Sequence, residues 1–141
     1  MKKTYQINLT PNQLTVIEEA LEFFSRFCSG QWEVPSSMEE TERKLSEGDK
    51  DFWKRRNETN DNLIALKSVF TKLPINAFYG IGSPKLCESA KVAYDIYRPI
   101  LELFNKEWRM EHPEESNWNV YSSPGLSYSK EGRIEIKAIK K

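Results

Sequence analysis

The stretch Thr10-Pro11-Asn12-Gln13-Leu14-Thr15-Val16-Ile17-Glu18-Glu19-Ala20-Leu21-Glu22-Phe23-Phe24-Ser25-Arg26-Phe27-Cys28-Ser29-Gly30-Gln31-Trp32 is the longest and best punctuated helix signal in the chain. Thr10 opens it, Gln13 stands three residues later, and Pro11 takes the first helical position, where a missing N–H costs nothing. Gly30 closes it. Leu14, Ile17, Leu21, Phe24 and Cys28 recur at helical spacing, and Val16, Ala20, Phe23 and Phe27 widen the stripe beyond half the circumference. A surface helix needs only an apolar arc of about 100°. The spacing therefore predicts a helix covered on two sides, by other elements or by a second copy of the chain.

The flanking sequence predicts strands. Thr4 to Leu9 alternates, with Tyr5, Ile7 and Leu9 on one face. Trp118 to Tyr121 and Arg133 to Ile139 alternate around a turn-rich link and read as a hairpin. Between them lie a short helix from Ser37 to about Glu47, opened by Ser37 with Glu40 and ended by Gly48, and a helix over Asp49 to Leu73 packing Leu63, Leu66, Phe70 and Leu73. A last helix runs from about Cys87 to Trp108 on Ala90, Ala93, Tyr97, Ile100 and Phe104. Pro99 lies inside it and robs the Asp95 carbonyl of its donor. The expected fold is α+β: three to four helices on a three-stranded antiparallel sheet made of the N-terminal strand and the C-terminal hairpin, in a single domain over 1–141.

Composition narrows the function classes. The 141 residues hold 21 Lys+Arg and 21 Asp+Glu, so no global field draws the chain to DNA or to an anionic membrane, and any anion site is local. No apolar run approaches the roughly 20 residues of a membrane span, and Met1 to Thr10 has no secretory h-region, which predicts a cytoplasmic protein. Cys28 and Cys87 sit in apolar helical contexts without ligand spacing and read as buried, reduced thiols rather than as a disulfide or metal site. His112, the one histidine, precedes a proline in a polar connection and reads as an exposed bystander. Glu18, Glu19 and Glu22 read as a hydrated face rather than as paired catalytic carboxylates, and Lys54-Arg55-Arg56 as a solvated face rather than a ligand grip. Gly80-Ile81-Gly82 follows a helix and lacks the third glycine of a dinucleotide fingerprint. No catalytic set, metal site or cofactor is expected.

Binding is better supported. Aromatics stand at chain turns: Trp32, the loop pair Phe78 and Tyr79 beside Gly80 and Gly82, and Trp118 and Tyr121. Glycines there allow positive φ or close approach to something flat. Base–aromatic stacking is worth about 1–3 kcal/mol per base, and a guanidinium such as Arg26, Arg98 or Arg133 can grip a phosphate through two parallel hydrogen bonds. Trp118 reads more readily as core; Phe78 and Tyr79, between a helix-stopping proline and a glycine pair, are poorly placed for it. Arg26 either favours the helix C-terminus electrostatically or points at a partner, and Gln31 adds a polar donor where the backbone turns away.

Ser25-Arg26 with Gly30-Gln31, Asn76-Ala77-Phe78-Tyr79-Gly80-Ile81 with Ser83-Pro84, and Ala90-Lys91-Val92-Ala93-Tyr94-Asp95-Ile96-Tyr97 resemble the pattern of a group of small phage proteins. In size and layout the chain resembles the first type of Thoeris anti-defence sponge. The resemblance implies a phage-encoded, non-catalytic homo-oligomer, a dimer or trimer of dimers, working in the host cytoplasm. It would sequester cyclic ADP-ribose-type immune signals, with some members also holding cyclic oligonucleotides at a separate site. It further implies that Phe78 or Tyr79 stacks adenine, that Arg26 and Arg133 clamp phosphates, and that Asn119 reads a base edge. The chain departs from the pattern at Gly82, where a histidine is common, and in its longer charged segment before Leu63. The alternative expectation is a protein-interaction module docking on a host enzyme through Asp49 to Asn62.

Overall fold

The computed structural model describes residues 3–34, 39–115 and 125–139. Four helices follow in order: α1 over Pro11–Ser29, α2 over Glu39–Ser46, α3 over Phe52–Thr71 and α4 over Glu88–Glu111, with a 3-10 turn at Pro113–Glu115. The expected sheet is absent: no described residue is in a strand. Residues 3–9 form no strand, with Tyr5 and Ile7 78% and 73% exposed. Residues 130–134 are bonded to α4 instead of to a neighbouring strand. Alternation shows that a segment could line one face of a sheet, but pairing needs a partner edge, and none is offered among the described residues. Trp118 to Tyr121 and Ser37 lie outside the described residues.

The punctuation of α1 is as the sequence predicts. Thr10 Oγ1 accepts from Gln13 N–H at 3.3 Å, Gln13 Oε1 accepts from Thr10 N–H at 2.9 Å, and Gly30 ends the helix at φ 96°. The face it buries is not the expected one. Glu18, Ser25 and Ser29 are buried, while Val16, Phe23, Phe24 and Phe27 stay exposed. The packing partner is α4. Ser25 Oγ donates to Ala90 O at 3.1 Å, and the Tyr97 phenol feels the charge of Glu22. Going back along α1 therefore means going forward along α4, so the two run antiparallel. Ala90, Ala93, Tyr97 and Ile100 fill that seam as their spacing predicts, joined by Leu86.

Glu18 belongs to this seam, not to a hydrated face. Its carboxyl is pushed up to about 7, first by burial and then by the charges of Glu22 and Glu19, with Arg26 opposing. One carboxyl oxygen, Oε1, finds no hydrogen-bond partner among the described residues. Cys28 and Cys87, distant in sequence, meet where α1 ends and α4 begins; both are free thiols, Cys28 half-buried and Cys87 exposed rather than buried. Burial first, and Cys87 beside it second, push the Cys28 thiol up.

Helix α3 also turns an unexpected side inward. Leu66 and Phe70 are exposed, and the buried residue is Lys67, whose ammonium donates to Ile75 O at 2.6 Å and Ala77 O at 2.9 Å. Arg55 and Arg56 are held by Asp49 and Glu42. His112 is half-buried, stacked on Trp108 at 4.7 Å rather than standing as an exposed bystander.

Pro99 does not end α4, which continues through it. The Asp95 carbonyl that the proline leaves without a helical donor accepts from Ile134 N–H at 3.4 Å. The fully buried Asp95 carboxylate takes Ser127 Oγ at 2.9 Å, Tyr128 N–H at 3.1 Å, Ser129 N–H at 2.8 Å and Ser129 Oγ at 2.6 Å. Burial pushes this carboxyl up, but those donors outweigh it and hold it below the usual carboxylate range. Glu88 accepts from Lys130 N–H, and Glu102 from Gly125 N–H and Arg133. The segment 125–134 is thus tied along α4 by three carboxylates from that helix.

Candidate functional site

The last turn of α1 and the loop after α3 are built against each other. Gly30 turns the chain so that its N–H and that of Gln31 donate to Phe27 O and Arg26 O, at 3.1 and 3.0 Å. The buried Ser29 contributes its carbonyl, beyond the helical ladder, as acceptor for Tyr79 N–H at 2.7 Å. Lys67 secures the same loop from behind through its two carbonyl bonds, and Ala77 N–H closes a turn on Pro74 O at 2.9 Å. A methyl group on Gly30 would stand 3.0 Å from Leu73 Cδ1 and 3.8 Å from Phe78 Cα, so glycine is needed for both conformation and space.

Between these parts lies a cleft of about 210 Å³, lined from α1 by Ser25, Arg26 and Ser29, then by Gln31, by the loop Phe78 to Ile81, and by Tyr94 and Tyr97 of α4. Among the described residues Arg26 is the one formally charged member of the lining, which holds no described Asp, Glu, His or Cys. Arg26 pairs with Glu22 at 2.7 Å on an exposed edge, and Lys85 Nζ stands 5.9 Å from the Tyr79 ring centroid. Tyr94 and Tyr97 meet edge to face at 5.3 Å. Burial first, and the nearby charge of Glu22 second, push the Tyr97 phenol well up, so it stays a neutral donor. Such a surface offers aromatic faces, hydroxyl and amide hydrogen bonds and one cation: the equipment for a ring carrying an anionic group.

Of the residues selected from sequence, Arg26, Gln31, Phe78 and Tyr79 come together here. Arg98 is not among the residues lining the cleft; its guanidinium lies 5.7 Å from the Tyr94 ring centroid. Arg133 is elsewhere, bonded to Glu102 and the Gly125 carbonyl, so the phosphate clamp expected of it is replaced by a tie to α4. Asn119 lies outside the described residues. Sequence reading missed Tyr94, Tyr97 and Ser29 as walls. The tyrosines sit three apart on a helix whose inner line was legible, so a polar ring in the middle of that line, Tyr97, was the available signal.

No group of three metal-ligating side chains occurs among the described residues, and no described helix is long and apolar enough to cross a membrane. No family model matches the chain, and neither the curated proteins nor the solved structures compared with it give a match.

Proposed function

We propose that the protein is a non-catalytic sponge that binds a cyclic nucleotide-type immune signal, a cyclic ADP-ribose isomer or a cyclic oligonucleotide, and withholds it from a host defence effector in the host cytoplasm. The observation that carries the reading is the convergence of Arg26, Gln31, Phe78 and Tyr79, from two distant parts of the chain, on one cleft walled by further tyrosines. Phe78 is 57% exposed, so its ring is available to stack a base. Arg26 at the edge supplies the charge for a phosphate. Clefts that enclose a drug-sized ligand run from about 300 Å³ upward. This cleft holds a base and the groups next to it, and a second copy of the chain closes over the remainder; a dimer or trimer of dimers supplies that copy.

The test is retention without turnover. Protein incubated with glycocyclic ADP-ribose, or separately with a cyclic oligonucleotide, is freed of excess ligand, heat-denatured, and its supernatant chromatographed. Intact ligand in stoichiometric amount, with a calorimetric binding signal, supports the sponge. No recovered ligand and no heat of binding for either compound rejects it, and new chromatographic peaks indicate hydrolysis instead.

The alternative, docking on a host enzyme through residues 49–62, has one observation in its favour. Trp53 is 56% exposed beside a second cleft of about 360 Å³ lined by Val34, Leu45, Phe52 and Arg56. A stoichiometric host protein retained on the immobilised chain, lost on Trp53→Ala, with no nucleotide bound, would favour it.

A further inference from the structure

The glycine loop of the cleft has little of its own to hold it. Gly80 and Gly82 contribute no side chains, and the turn is closed by one backbone bond, Ser83 N–H to Gly80 O at 2.9 Å. Neither glycine has positive φ among the described residues; those that do are Gly30, Gly48 and Gly132. Position 82 lies beside an aromatic ring. A methyl group there would stand 3.4 Å from Tyr128 Cε1 and 3.6 Å from Cδ1, ordinary contact distances, so Tyr128 is the near neighbour of the turn. The same ring meets Tyr94, a cleft wall, edge to face at 5.5 Å and 86°. Tyr128 therefore stands against one wall of the cleft, Tyr94, and beside Gly82, the residue that follows the lining residue Ile81.

Its own position is unusually determined. The backbone N–H groups of Tyr128 and Ser129 and the hydroxyls of Ser127 and Ser129 all end on the Asp95 carboxylate. Ile134 N–H takes the Asp95 carbonyl that Pro99 left without a donor. Tyr94 and Asp95 are neighbours on α4, so one helical position holds the segment and the one before it receives the ring.

We infer that residues 127–129 form a positioning strap for the cleft: seated on Asp95, they wedge Tyr128 between Gly82 and Tyr94 and fix the glycine loop and the tyrosine wall in one arrangement. Asp95 and Tyr128 are positioning residues, since neither lines the cleft. The geometric part of this inference stands independently. Its consequence for affinity rests on the nucleotide-binding reading above, because a base gains from stacking only when the opposing walls are already in place.

Two measurements on the full chain separate these parts. Ligand-free hydrogen exchange reads the Ser83 amide: Tyr128→Ala should speed it about tenfold or more, with amides in the middle of α4 unchanged, and Tyr128→Phe, which keeps the ring, should match the parent. Calorimetry with glycocyclic ADP-ribose should show about tenfold weaker binding for Tyr128→Ala, through faster release, and parental affinity for Tyr128→Phe. Should Tyr128→Ala fail to fold, Ser129→Ala removes one of the four donors seated on Asp95, the hydroxyl, and should move the Ser83 amide in the same direction by less. Parental exchange at Ser83 in the folded variants overturns the strap. Absence of binding by the parent chain rejects the nucleotide reading instead and leaves the exchange result to decide the strap alone.

Discussion

Glu18 is the residue at which charge and packing conflict most directly. A carboxyl whose folded value of about 7 exceeds its ordinary 4.5 keeps its proton in the folded chain while the unfolded chain has already released it. The folded state then binds more protons, so stability falls as pH rises from about 4.5 through 7 and is level again above that. The side chain is buried, so the effect is not lost to solvent screening, and roughly 1–3 kcal/mol is expected at stake. Glu18→Gln should accordingly be more stable than the parent by that amount at pH 8 and equal to it near pH 4.5. Urea titrations at the two values check this; an equal difference at both would show that Glu18 does not carry the dependence.

Gly30 poses the conformational counterpart. Its φ of 96° and the 3.0 Å approach of Leu73 to a hypothetical methyl group act together. Gly30→Ala combines left-handed strain with a steric push, costing about 1–3 kcal/mol. Because Phe78 Cα is also a neighbour, it should weaken ligand retention as well as lower the melting temperature. Thermal melts with and without glycocyclic ADP-ribose separate the two effects.

At the scale of elements, the lesson of α1 and α3 is that a polar residue can be the best thing to bury when it has carbonyls to satisfy. Lys67 lies among Leu63, Leu66 and Phe70 in sequence, yet it is the ammonium that goes inward, because Ile75 O and Ala77 O, beyond the end of α3, need donors. Lys67→Met keeps the length and removes the donors. Leaving two carbonyls unpaired is expected to cost about 1–3 kcal/mol, and faster amide exchange at Ala77 and Tyr79 should report a loosened cleft loop. Helix ends were legible in the sequence because caps are local: Thr10, Gln13, Pro11 and Gly30 act within a few residues of one another. The inner line of α4 was legible for the same reason. What α1 would bury was not, since its apolar side chains surround it and α4 alone selects the face. The strands were misread because alternation in Thr4 to Leu9 and Arg133 to Ile139 describes a surface without saying whether an edge exists to meet it. Part of the candidate site was legible, through Arg26, Gln31, Phe78 and Tyr79, which lie at chain bends. Arg133 was not, because its partner Glu102 is 31 residues away and periodicity carries no long-range pairing.

For the whole molecule, the exposed apolar rings constrain most. They are continuous: Phe23 meets Phe27 at 5.8 Å, Phe27 stacks on Trp32 at 4.5 Å, and Trp32 meets Phe70 at 5.8 Å, a ladder from α1 to α3. Its outer edges are open, with Phe70 79% and Val69 81% exposed. A contiguous exposed apolar patch of this kind is what a second copy of the chain would cover. The expected native mass is therefore a multiple of 16.5 kDa. Because the ladder joins helices that otherwise touch little, replacing a ring at each end should disrupt assembly more than either change alone. Phe23→Ser with Phe70→Ser is expected to reduce the sedimenting mass to a single chain, to weaken glycocyclic ADP-ribose retention about tenfold or more if the second copy completes the site, and to leave helix content unchanged by circular dichroism. A parent chain that sediments as one copy at tens of micromolar, yet still holds ligand, would show that the cleft of one protomer is sufficient and that the ladder serves some other contact.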